Sequence, residues 1–209
     1  MKLYDLAYAC RLYQGEFDYA YKRMCNGLGQ NPALSSPDEQ TCLLQFLKRL
    51  RTWASQWISQ LPDVNRDIRG LNENERLTVG HAYEELLKMG TGLRFQDTAA
   101  AKTLHALRRN TLPMWDAAIK DRFISVHGLS SGAGGQVYLE FIGYMGDEIS
   151  DLEKDVTRLG YSLNSVCALV RGDGASLVKL VDEYHWITIT ECHQPPSPDD
   201  LEQWLGWIH

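Results

Sequence analysis

Residues 36–58 read SPDEQTCLLQFLKRLRTWASQWI, and this stretch decides the fold class. Ser36 is a helix N-cap residue, Pro37 suits the first helical position, and Glu39 stands where a capping-box acid belongs. Leu43, Leu47, Leu50, Ala54 and Trp57 then recur every three or four residues, and Leu44, Phe46, Trp53 and Ile58 widen the stripe. A helix puts all of these on one side, whereas a strand would scatter them over both faces. The segment is an amphipathic helix whose apolar side needs other helices to cover it.

Working outward, the same periodicity recurs. Residues 3–27 carry Tyr4, Tyr8, Tyr13, Phe17, Tyr19 and Tyr21 and read as one or two helices, ended by Gly27 and Gly29. Residues 61–71, with Pro62, Asp63, Asn65 and Gly70, are a connector. A helix over 73–88 follows, capped by Asn72, and the stretch 89–93 is a tight turn. A small-residue helix spans 97–107, and a loop over 108–112 leads to Pro113-Met-Trp-Asp116 and a helix through Phe123. GLSSGAGG at 128–135 reads as a flexible loop before a long helix over 136–159, and shorter helices cover 162–170 and 175–184. The β-branched run WITIT at 186–190 has strand composition. Ser197 and Pro198 open a last helix. The expectation is an all-α, compact multi-helix domain over 1–209. Its acidic C-terminal part, 146–209, belongs either to one core or to a separate subdomain.

Composition narrows the class. The hydrophobic content of 44% is enough for a sizeable core, and the net charge of −6 argues against a protein that coats nucleic acid. The charge is uneven, with six bases against three acids between Arg94 and Phe123, and twelve acids against four bases from Gly146 onward. The middle of the chain therefore suits a phosphate, whereas the C-terminal part does not. Five widely spaced cysteines without a C-x-x-C suggest neither a zinc clip nor a disulfide framework. The N-terminus has no uninterrupted apolar h-region, and no stretch is long enough to cross a bilayer, so a cytoplasmic protein without a membrane partner is expected.

Most motifs that carry chemistry are absent from the sequence. The glycine loop lacks the G-K-S/T of a phosphate cradle, and no dinucleotide fingerprint is present. The six histidines show no H-x-x-x-H or H-E-x-x-H spacing, and G-x-S-x-G is absent, so no metal and no cofactor are expected. Glu148, Asp151 and Asp155 share one helix face, which reads as a solvated surface with divalent-cation binding as the alternative. The segment from Thr98 to Phe123 is richer. Three successive alanines permit close backbone approach, Lys102 and His105 lie one turn apart, and Asp116 stands where a helix begins. An acid there is either a helix cap or a carboxylate that the helix dipole keeps ionised for chemistry.

Lys102-Thr-Leu-His105 followed by Pro113-Met-Trp-Asp116 and Ile119 resembles a group of uncharacterised bacterial proteins with a K-x-L-H…P-x-W-D-x-x-I motif. That group in turn is distantly similar to the helix-hairpin-helix DNA glycosylase superfamily. There a Gly-x-Gly hairpin leads into a small-residue helix, and a Pro-Val-Asp segment places the catalytic aspartate. The resemblance covers about thirty residues. It implies a glycosylase-like fold with a helical hairpin, and an enzyme cleaving an N-glycosidic bond in DNA or a nucleoside. Asp116 would stabilise the sugar cation, and Lys102 is the second catalytic candidate. Gly90 and Gly92 would form the hairpin. Trp115 would stack on an extruded base, beside His105, while Arg108 and Arg109 would meet phosphates. Departures are visible: Pro113 stands three residues before Asp116 instead of two, and the hairpin reads Lys-Met-Gly-Thr-Gly without its proline. The alternatives from a different class are a non-catalytic protein-interaction module that keeps such a helical core, and an oligomerising module built on the 43–58 helix.

Overall fold

A computed structural model describes residues 37–89, 97–130, 134–171 and 176–193. The expected helices at 3–27 and after Ser197, and the turn with Gly90 and Gly92, lie outside them. The described residues form seven α-helices and no strand: α1 Pro37–Trp57, α2 Glu73–Met89, α3 Asp97–Leu107, α4 Ala117–His127, α5 Gly134–Arg158, α6 Leu163–Arg171 and α7 Leu177–His185. None of them is long and apolar enough to cross a membrane.

Local chemistry sets several of the boundaries. At α2, Asn72 Oδ1 accepts from the Glu75 N–H while Glu75 Oε2 accepts from the Asn72 N–H, each at 2.9 Å, so two orphan donors are satisfied reciprocally. Ser176 caps α7 by accepting from the Lys179 N–H. The α4 helix stops at Gly128, whose left-handed φ of 63° suits a residue without Cβ.

Two helices, α2 and α5, form the centre. The buried residues of α5 (Val137, Tyr138, Phe141, Ile142, Met145 and Ile149) make one stripe, and Val79, Ala82, Tyr83 and Leu86 of α2 face the core. Glycines set how closely the two approach. A Cβ on Gly135 would lie 2.9 Å from the Gly80 carbonyl oxygen, and one on Gly80 would lie 2.8 Å from Leu139 Cδ1. Gly134 and Gly135 are therefore packing residues in the first turn of α5, and the flexible loop expected over 128–135 ends earlier than its composition suggests. The Tyr83 and Tyr138 rings stack across the α2–α5 contact with centroids 4.3 Å apart.

The opening helix behaves as its stripe demands. Leu50, Trp53, Ala54 and Trp57 are buried. Trp53 Nε1 donates to the Ala82 carbonyl at 3.0 Å and Trp57 Nε1 to Glu85 Oε2 at 2.8 Å, so both indoles bury their rings against α2 without orphaning their N–H groups. The run 186–190 is not a strand. It continues α7 as a π-helical turn, Trp186–Thr190, packed against α4. Its β-branched residues met no neighbouring strand, and the preceding helix supplied the backbone partners instead. The α7 helix packs on α5 and this turn on α4, so the described C-terminal segments share the core formed by the central helices.

Candidate functional site

The segment from Lys102 to Asp116 is where sequence placed the chemistry. Asp116 is the N-cap of α4, with extended backbone at φ −102° and ψ −176°. Its Oδ1 accepts from the Ile119 N–H at 2.9 Å. Its Oδ2 accepts from the Thr190 hydroxyl at 2.7 Å, a bond across 74 residues that pins the π-helical turn to the start of α4. Each carboxylate oxygen thus already holds one donor from the fold.

Trp115, the expected base-stacking residue, is only 1% exposed. Its ring lies 5.0 Å from Phe141, 5.3 Å from Tyr138 and 6.3 Å from Tyr83, centroid to centroid. It is a core residue, and stacking on an extruded base would require the centre of the domain to open. On the side of Trp115, Lys120 Nζ sits 6.0 Å from the ring and 2.7 Å from Asp97 Oδ2. The Tyr83 hydroxyl donates to Asp97 Oδ1 at 3.1 Å. Burial pushes the Tyr83 hydroxyl far above its ordinary range, with the Asp97 charge adding to the effect.

Arg108, expected at phosphate, is 6% exposed and faces inward. Its guanidinium donates to the carbonyls of Pro62, Ile58 (2.7 Å) and Leu107 (2.9 Å). These carbonyls lie at the end of α3 or just beyond the end of α1, where a helix cannot satisfy them internally, and one arginine fork serves them. Burial lowers the pKa of the guanidinium. The adjacent Thr111 hydroxyl donates to the Arg66 carbonyl, so the loop 108–112 is stitched onto the connector. Arg109 is exposed, and its carbonyl accepts from the Ser176 hydroxyl at 2.6 Å.

His105 Nδ1 lies 2.8 Å from the Leu112 carbonyl. A carbonyl only accepts, so Nδ1 carries the proton in this contact. Burial holds this imidazole below its ordinary value of 6.5, while the Leu112 carbonyl and Asp182 act in the opposite direction. His105 therefore closes the loop between α3 and Leu112 through Nδ1. Lys102 is half-buried on α3 and makes no ion pair among the described residues. Ala99, Ala100 and Ala101 are all buried.

Two arrangements were not visible in the sequence. The first is a polar cluster on α5 and α7. The Tyr144 hydroxyl donates to Glu148 Oε1 at 2.9 Å, and His185 Nε2 lies 2.8 Å from Glu148 Oε2. Burial, together with the bond to Glu148, raises the Tyr144 hydroxyl to about 12. The i, i+4 spacing of Tyr144 and Glu148 was available as a signal, but nothing local announced His185. The second is a groove of about 320 Å³ between α1 and α2, lined by Lys48, Arg49, Thr52, Trp53, Gln56, Glu85 and Met89. On the acidic face of α5, Asp151 pairs with Lys154 and Asp155 with Arg158 within the helix, while Glu148 meets His185 of α7. No cluster of three or more potential metal ligands occurs among the described residues.

Comparison of the chain with protein-family models, with curated proteins and with solved structures gives no match.

Proposed function

We propose that this protein is a non-catalytic interaction module, a helical scaffold that acts by binding a partner protein, with Asp116 as a structural clamp. The observation that carries this reading is the engagement of both Asp116 carboxylate oxygens, one by the Ile119 amide and one by the Thr190 hydroxyl. A catalytic aspartate facing a sugar cation needs an oxygen aimed at the substrate. Here the best-placed directions serve a helix start and a distant turn. The inward placement of Trp115 and Arg108 supports the same reading, because it removes the stacking surface and one of the two phosphate ligands that a glycosylase-like site requires.

The glycosylase-like enzyme is the competing reading, and one experiment separates the two. The wild-type protein and Asp116→Asn are incubated with duplex and single-stranded oligonucleotides carrying deaminated, oxidised and alkylated bases, and abasic sites are scored. No base release by either protein is expected. Release by the wild type that vanishes in Asp116→Asn, with thermal stability unchanged, overturns the interaction reading.

A further inference from the structure

The surface that an interaction module presents is set by its fixed charges and its apolar openings. On α1, residues 45–57 hold Lys48, Arg49 and Arg51 and no acid, in a chain whose net charge is −6. Lys48 and Arg49 are exposed, and neither forms an ion pair among the described residues. Both line the groove between α1 and α2, whose floor includes Trp53 and Met89. The one acid among the described residues of the groove, Glu85, has Oε2 bonded to the Trp57 indole at 2.8 Å, which turns that oxygen toward the protein. The result is an apolar trough with a basic rim on a protein of net charge −6.

We propose that this groove docks an acidic amphipathic helix of a partner protein, apolar side chains against Trp53 and Met89, carboxylates against Lys48 and Arg49. The inference rests on the interaction reading and gives it a surface and a partner chemistry. Charge complementarity argues for the occupant: a basic rim over an apolar floor selects an acidic segment that also has an apolar face. The dimensions agree. From Lys48 to Gln56 the groove follows α1 for about 12 Å, at the helical rise of about 1.5 Å per residue, which matches two turns of a docked helix. Nucleic acid fits less well, because two cations beside a carboxylate and an apolar floor are a small footprint for a phosphate backbone.

The test selects a randomised peptide library displayed on phage against the full chain, with the charge-reversed variant K48E/R49E as the counter-selection target. Both substituted side chains are exposed, and circular dichroism checks that the variant keeps its fold. Enriched peptides are expected to carry Leu, Ile or Phe at helical spacing flanked by Asp or Glu. Synthesised individually, they are expected to bind K48E/R49E at least about tenfold more weakly than the wild type, with affinity falling as salt rises. Met89→Glu is expected to weaken the same peptides without touching the rim. Failure to enrich any peptide, enrichment of non-acidic peptides, or equal binding to wild type and K48E/R49E overturns the groove assignment. Peptides that bind elsewhere leave the interaction reading standing, whereas base release by the wild type removes that reading itself.

Discussion

Replacing Asp116 with Ala deletes two acceptors at once, and their separate costs follow from the geometry. Loss of the cap on the Ile119 amide, 2.9 Å from Oδ1, costs about 1 kcal/mol, the usual penalty for an N-cap acid replaced by Ala. Loss of the Thr190 hydroxyl bond to Oδ2 at 2.7 Å adds about 1 kcal/mol, kept low because Asp116 is only half-buried. The sum, about 2 kcal/mol, corresponds to roughly 4–8 °C in Tm for a chain of this size. Thr190→Val removes only the second bond and costs about 1 kcal/mol. Asp116→Asn keeps an oxygen for Ile119, and its amide can donate to the Thr190 hydroxyl oxygen, so it costs less than about 1 kcal/mol. Urea and thermal denaturation of the four proteins of the Asp116→Ala and Thr190→Val cycle measure these values, with a coupling of about 1 kcal/mol expected. A cost for Asp116→Ala below roughly 0.5 kcal/mol, or additive single substitutions, would show that the clamp is not what holds this carboxylate in place.

Other perturbations test other parts of the structure. Gly135→Ala places a Cβ 2.9 Å from the Gly80 carbonyl oxygen, backbone against backbone, and is expected to destabilise by about 1–3 kcal/mol in chemical denaturation. Arg108→Met leaves the Ile58 and Pro62 carbonyls without their donor and is expected to cost about 2–4 kcal/mol, with no change in any nucleic-acid binding the wild type shows. For His105 the folded-state pKa lies below its ordinary 6.5, chiefly through burial, so below pH 6.5 the unfolded chain takes up the proton first. Its contribution to stability is complete above that pH and declines as pH falls toward the folded-state value. Urea midpoints between pH 8 and pH 5 are expected to show this decline reduced in His105→Gln.

The parts of the fold that sequence made legible are the local ones. Asn72 as a cap, the Trp53 and Trp57 stripe and the alanine helix all follow from contacts within a few residues. So did the position of Asp116 at a helix start, which left two roles open for one residue. The donor to its second oxygen is Thr190, 74 positions away, and no local pattern carries that information. The inward turn of Arg108 is hidden for the same reason, since a basic residue in a polar loop looks solvated until the carbonyls of Ile58 and Pro62 arrive from another helix end. Trp115 looked available because it sits between Pro113 and a polar Asp116, yet the aromatic faces that enclose it come from α2 and α5. The groove between α1 and α2 lies on the helix with the clearest apolar stripe, and its basic flank becomes a rim only when Glu85 and Met89 of α2 stand opposite.

The bonds from Arg108 and Thr111 to the carbonyls of Ile58, Pro62 and Arg66 have a kinetic consequence. They join two irregular segments separated by 45 to 50 residues. Neither segment can swing away from the helices without releasing the other, so the two behave as one cooperative opening unit. In amide exchange their protected backbone positions should therefore share a single opening free energy, and a nick by protease in one should follow the breathing of both. A loop that looks like the loosest stretch of the middle of the chain is, by this count, a lock on the end of its first described helix.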